Sequence, residues 1–287
     1  MPAEASNLVR VAAIDFLNPA PLMWDFEHPP LASALAERYQ LHYTLPSRCA
    51  DELLAGRADL GLIPIAALTP DLAIVPGCTI ASLNEVRSIQ LIVKKSHSLS
   101  TVKTVAADTA SRSSLAYTEI LFRKFFGIDP TFVQHAADTL AMLRQHDAAL
   151  LIGDHALLAL EARAIIEEQV GPCNWYDLAH EWTTRTRLPW VAAVWAVRPE
   201  ALPACGISPQ ELIEDLNQSR IHGLANVDTL VREWSARIAI PAATIHHYLT
   251  ANIYYSLDED CIQSIRLFRQ YAAEIEALPA FPDLRFL

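Results

Sequence analysis

A chain of 287 residues with 52% hydrophobic and 19% charged residues is long enough for two domains and too apolar to stay disordered. A formal net charge of −11, with Lys94-Lys95 as the only lysine pair, excludes an electrostatic nucleic-acid footprint. No apolar run reaches the roughly 18 residues of a membrane span, and Met1–Asn7 lacks the basic start and apolar core of a secretory leader.

Short apolar runs alternate with amphipathic stretches, the pattern of an α/β protein. In chain order, strands are expected at Val9–Ile14, Leu41–Leu45, Leu60–Ile63, Ser88–Val93, Thr104–Ala107, Thr131–Gln134, Ala148–Ile152 and Val191–Val197. Helices are expected at Leu31–Tyr39, Arg48–Ala55, Ser113–Phe126, Thr139–Gln145 and His155–Glu168. After Arg198 four helices and no strand are expected, and they fit either a dimer contact or a cover for a sheet. The last, Glu259–Leu278, puts Ile262, Ile265, Phe268, Ala272 and Ile275 on one face.

Two polar stretches, Val93–Ser98 and Val197–Glu200, read as crossings between domains. They predict one lobe from residues 1–94 and 199–287, and an inserted lobe from residues 95–198. Two lobes joined by two connections make a clamp with its ligand in the cleft.

Several kinds of chemistry are absent from the sequence. Eight glycines form neither a dinucleotide fingerprint nor a Walker loop, and no Gly-x-Ser-x-Gly occurs. His246 and His247 diverge by about 100° on a helix, so they make a poor metal chelate, and no metal site is expected. Five cysteines, at 49, 78, 173, 205 and 261, are odd in number and never spaced Cys-x-x-Cys. That fits reduced thiols and a cytoplasmic protein.

Small polar groups at strand ends remain. Ile14–Leu22 ends a strand at Asn18-Pro19, which would place the Asn18 amide at the ligand-binding edge of a sheet. Asp108–Ser114 joins a strand to a helix. Ser111, Arg112 and Ser113 there suit a carboxylate receptor as well as simple helix capping. In Ile152-Gly153-Asp154-His155, Gly153 permits close approach of a ligand and Asp154 suits a cap. Ser88 enters the strand that leads to the first expected crossing.

Taken together these segments resemble the chorismate dehydratases that begin menaquinone synthesis by the futalosine route. The likeness runs through Ile14–Leu22, Gly56–Pro64, Ile80-Ala81-Ser82, Val86-Arg87-Ser88, Ser111–Ser114 and Leu151–Asp154. It continues through Asp177–Trp182, Leu188–Val191 and Tyr248–Ile253, and departs at Leu83-Asn84-Glu85. The resemblance implies a two-lobed type II periplasmic-binding-protein-like α/β fold with a central ligand cleft. It also implies cofactor-free conversion of chorismate to 3-[(1-carboxyvinyl)oxy]benzoate and water, with Asn18 and Ser88 at the reacting centre. Ser111, Arg112, Ser113, Gly153 and Asp154 are the candidate substrate-binding residues. The competing readings are a small-carboxylate binding protein of a transporter or sensor, and a prephenate dehydratase. For the latter, Thr184-Arg185-Thr186 lacks the aromatic of the Thr-Arg-Phe type motif.

Overall fold

The computed structural model describes residues 8–108, 112–280 and 282–287. Eleven strands form two sheets among these residues. They are β1 (Val9–Ile14), β2 (Tyr39–Thr44), β3 (Leu60–Pro64), β4 (Ala73–Ser82), β5 (Ile89–Lys94) and β6 (Thr104–Asp108). Then follow β7 (Thr131–His135), β8 (Ala148–Ile152), β9 (Cys173–Asp177), β10 (Trp190–Val197) and β11 (Tyr254–Leu257). The first sheet has the order β11-β4-β10-β3-β1-β2 and the second β7-β6-β8-β5-β9. Central strands β3 and β8 are buried along their whole length, which is why they read as unbroken apolar runs.

Arg10 interrupts the apolar run of β1, and its partner explains it. The guanidinium grips Asp59 at 2.8 and 2.6 Å, and the Arg10 amide donates to the same carboxylate at 3.0 Å. Burial alone would raise the Asp59 pKa. The Arg10 hydrogen bonds outweigh it and hold the carboxyl below 3.8. The stability it contributes is therefore present above pH 3.8 and is lost as pH falls through the lower folded-state value. Asp59→Asn is expected to cost about 2 kcal/mol at pH 7 and less at acid pH, read by urea unfolding.

The structure corrects the expected organisation in four places. The longest strand, β4, was not expected because Pro76-Gly77 reads as a turn. Its pairing with β10 jumps from Ile74↔Ala196 to Thr79↔Val194, so a bulge absorbs the proline and a Gly77 at φ 99°. β11 disproves the strand-free C-terminal third, being a four-residue edge strand too short to show a period. β9, half-buried along most of its length, was also missed. Finally, β5 belongs to the second sheet and β10 to the first, opposite to the expected boundaries at 94/95 and 198/199. The chain crosses between sheets at residues 83–88 and 187–189 instead. β10 is apolar throughout and β5 departs from that only at Gln90 and Lys94, so composition could not tell the sheets apart.

Expected helix Ser113–Phe126 is α-helical to Ile120, then runs as a π-helix over Leu121–Phe126 and stops at Gly127. The segment expected as His155–Glu168 is two helices, Gly153–Glu161 and Arg163–Val170. The last helix spans Glu259–Glu274 and buries Ile265, Phe268 and Ala272 as its spacing predicts. The Phe268 ring lies 4.3 Å from that of Tyr117, tilted by 38°, and Tyr117 also meets Trp182 edge-on at 4.9 Å. Apolar core thus runs unbroken from one sheet to the other.

Candidate active site

β1 ends at Ile14 and delivers Asp15–Pro19 to the seam between the sheets. The short 3-10 helix Ala20–Met23 follows. Helix Pro209–Ala225 holds that turn: Ser219 donates to the Leu22 carbonyl at 2.8 Å and accepts from the Asp25 amide at 3.0 Å. One helical turn later Gly223 lies so close that a Cβ there would sit 2.0 Å from the Pro21 carbonyl oxygen. Tyr255 of β11 donates to the Asn18 carbonyl at 3.0 Å. The backbone of Asn18 is therefore fixed from two sides. Its side-chain Oδ1 is buried and has no hydrogen-bond partner among the described residues.

Ser88 stands on the opposite side, in the crossing that feeds β5, and is buried. Its side chain lies beside Tyr248, whose pKa burial drives far up, so the phenol keeps its proton. The Ser88 carbonyl accepts from the Gly153 amide at 2.7 Å. Tyr248 opens a π-helix, Tyr248–Asn252, a distortion often found at functional sites.

Gly153 and Asp154 close the circle. Gly153 has φ 58°, and a Cβ there would lie 2.8 Å from the Phe16 ring, so a first-sheet aromatic presses on the bare backbone. Asp154 does not cap its own helix, as sequence reasoning favoured. Its Oδ1 accepts from the Leu17 amide at 3.1 Å, a bond between the two halves of the molecule. Burial raises the Asp154 pKa, with the Leu17 amide pulling it partly back. Ser88, Gly153 and Asp154 are thus linked to one another and, through Phe16 and Leu17, to the turn that carries Asn18.

The expected carboxylate receptor is placed elsewhere along the seam. Ser111 lies outside the described residues. Arg112 pairs with Asp51 at 2.7 Å, and the Ser113 hydroxyl donates to the Ala192 carbonyl while accepting from the Ala66 amide. Both side chains stitch the second-sheet half to the first. Beside them lies a cavity of about 380 Å³, lined by Ala66, Asp108, Arg112 and Glu119 among others, but not by Asn18 or Ser88. Sequence reasoning assigned no role to Tyr248, Tyr255, Asn252 or Asp177. Tyr248, Asn252 and Asp177 sit in segments that carried the resemblance, which was the available signal.

Two α/β halves meeting over small polar groups at strand ends define a periplasmic-binding-protein fold, and solved structures bear this out. Protein AF1704 from Archaeoglobus fulgidus superposes with a TM-score of 0.71 at 15% identity, covering 96% of this chain and 99% of that one. The alkanesulfonate-binding protein SsuA from Xanthomonas axonopodis pv. citri, bound to MOPS, gives 0.67 at 16% identity over 95% and 94%. Residues 9–274 match the model of the menaquinone biosynthesis family, and the chain belongs to that family. A chorismate dehydratase from Thermus thermophilus is 28% identical over 257 residues, 86% of this chain and 90% of the relative.

Proposed function

We propose that this chain is a chorismate dehydratase, a hydro-lyase that converts chorismate to 3-[(1-carboxyvinyl)oxy]benzoate and water without a cofactor. The observation that carries the reading is the near full-length match to the Thermus thermophilus chorismate dehydratase within a shared family. Asn18 supports it as well, since a buried amide oxygen without a partner among the described residues invites a ligand hydroxyl. The five cysteines are all free thiols, as suits a cytoplasmic enzyme.

Chorismate loses its C3 proton and C4 hydroxyl to become aromatic, so the driving force lies in the substrate. C3–H is vinylogous to the ring carboxylate, and donors aimed at that carboxylate stabilise the charge that develops there. Neither Asn18 nor Ser88 is a base for carbon. In our reading the substrate's own enolpyruvyl carboxylate takes the C3 proton, because tethering supplies the effective molarity that basicity lacks. Asn18 Oδ1 accepts from the C4 hydroxyl, Ser88 beside Tyr248 donates to the same oxygen, and the proton held by the enolpyruvyl carboxylate passes to that oxygen, which leaves as water. Arg112 and Ser113 would serve a carboxylate only by exchanging their present partners.

Incubation with chorismate and identification of the product by mass and NMR tests the function. A carboxylate-binding protein would retain chorismate unchanged. An ester of the enolpyruvyl carboxylate is expected to bind and turn over at least about 100-fold more slowly; full-rate turnover would remove the substrate as base. Asp154, with its raised pKa, is the competing protein base. If it takes the proton, Asp154→Asn abolishes turnover by at least about 10³-fold. With the substrate as base the loss stays near tenfold, the effect of a weakened Leu17 bond.

A further inference from the structure

The turn in front of Ser88 runs against its own backbone preference. Arg87 has φ 61°, a left-handed conformation that side chains with a Cβ avoid. The Ser88 amide donates to the Val86 carbonyl at 2.7 Å, closing a three-residue γ-turn centred on Arg87. A non-glycine residue stays there only when its surroundings impose it.

The Asp177 carboxylate imposes it. One oxygen accepts the Arg87 amide at 2.6 Å and Gln90 Nε2 at 3.1 Å. The other accepts the Val86 amide at 3.2 Å, and the Ala179 and His180 amides at 3.0 and 3.2 Å. Successive amides from Val86 and Arg87 converge on one anion only when the backbone takes this positive-φ shape. From the other side Asn252 Nδ2 donates to the Glu85 carbonyl at 3.0 Å. Capping of helix Leu178–Thr186 needs only the Ala179 and His180 amides, a task that serine performs as well. The oxygen turned toward Arg87 and Gln90 lies outside that task.

We propose that Asp177 is a positioning residue for the dehydration: by anchoring the Val86 and Arg87 amides it forces the turn that aims the Ser88 hydroxyl at Tyr248 and the reacting centre. The proposal rests on the chorismate dehydratase reading above.

Asp177→Ser keeps a helix cap and releases the turn. We expect kcat for chorismate to fall about 30-fold or more, with KM within about threefold and little change in Tm. Adding Arg87→Gly, which reaches a positive φ without strain, should restore most of that kcat. As a control, Asp138 caps helix Thr139–Gln145 through the Ala141 amide, far from the turn in sequence. Asp138→Ala should lower Tm and leave kcat unchanged. Amide hydrogen exchange at Val86 and Arg87, followed without substrate, should accelerate in Asp177→Ser. Wild-type protein inert toward chorismate would overturn the functional reading, while exchange would still report the anchor. Active wild type with an undiminished kcat in Asp177→Ser, or a kcat loss that Arg87→Gly does not repair, would overturn the positioning role.

Discussion

Ser88→Ala is expected to lower kcat for chorismate by about 10²–10³-fold, the contribution of one well-placed proton donor, while Tm stays within a few degrees. The small change in stability follows from the geometry. Ser88 holds the fold through its main chain, where the carbonyl accepts from Gly153 and the amide closes the γ-turn, and alanine retains both. Only the hydroxyl beside Tyr248 disappears. Asn18→Ala should behave similarly, since Tyr255 binds the Asn18 carbonyl rather than its side chain. Stopped-flow turnover alongside differential scanning calorimetry checks both variants. A Ser88→Ala protein that converts chorismate at the wild-type rate would remove this residue from the chemistry.

Gly223→Ala is expected to damage the site from outside it. The new methyl would meet the Pro21 carbonyl oxygen at 2.0 Å and the Pro21 Cα at 2.6 Å, and neither backbone can step aside as a side chain would. Helix Pro209–Ala225 must move off the turn that carries Asn18, at about 3 kcal/mol, and turnover should drop at least about tenfold with it. Gly127→Ala provides the contrast. It has φ 66° and open space around it, so it carries only the left-handed penalty of about 1 kcal/mol and should leave turnover alone. Chemical denaturation of the two variants separates overlap from backbone strain.

Much of the fold was legible wherever one residue pattern had one structural meaning. β1 and β8 fell at their expected ends because each apolar run is bounded by a polar turn, and Thr139–Gln145 because Asp138 caps it. β4 was hidden by a proline and a glycine that a bulge accommodates, and that bulge depends on β10, distant in sequence. The placement of β5 and β10 was equally out of reach. β10 is apolar on both faces and β5 on the face of Ile89, Leu91 and Val93, and which sheet they join is decided by partners rather than by their own residues.

The site divides in the same way. Asn18, Ser88, Gly153 and Asp154 announced themselves as polar or permissive residues at strand ends, and the structure joins the last three to Phe16 and Leu17, the neighbours of Asn18. What could not be read was pairing across the chain. Arg112 looked like an anion receptor until Asp51 appeared beside it, and Asp154 like a cap until the Leu17 amide did. Tyr248 and Tyr255 come from the C-terminal region, more than 150 residues after Ser88, and reach their partners only once both sheets are assembled.

Because Ser88 stands within one of the two strips of chain that pass between the sheets, loading and chemistry share a single mechanical part. A swing that parted Phe16 from Gly153 to admit a diacid would act on the 83–88 strip that carries Ser88. On the proposed role of Ser88, turnover then requires Phe16 seated on Gly153.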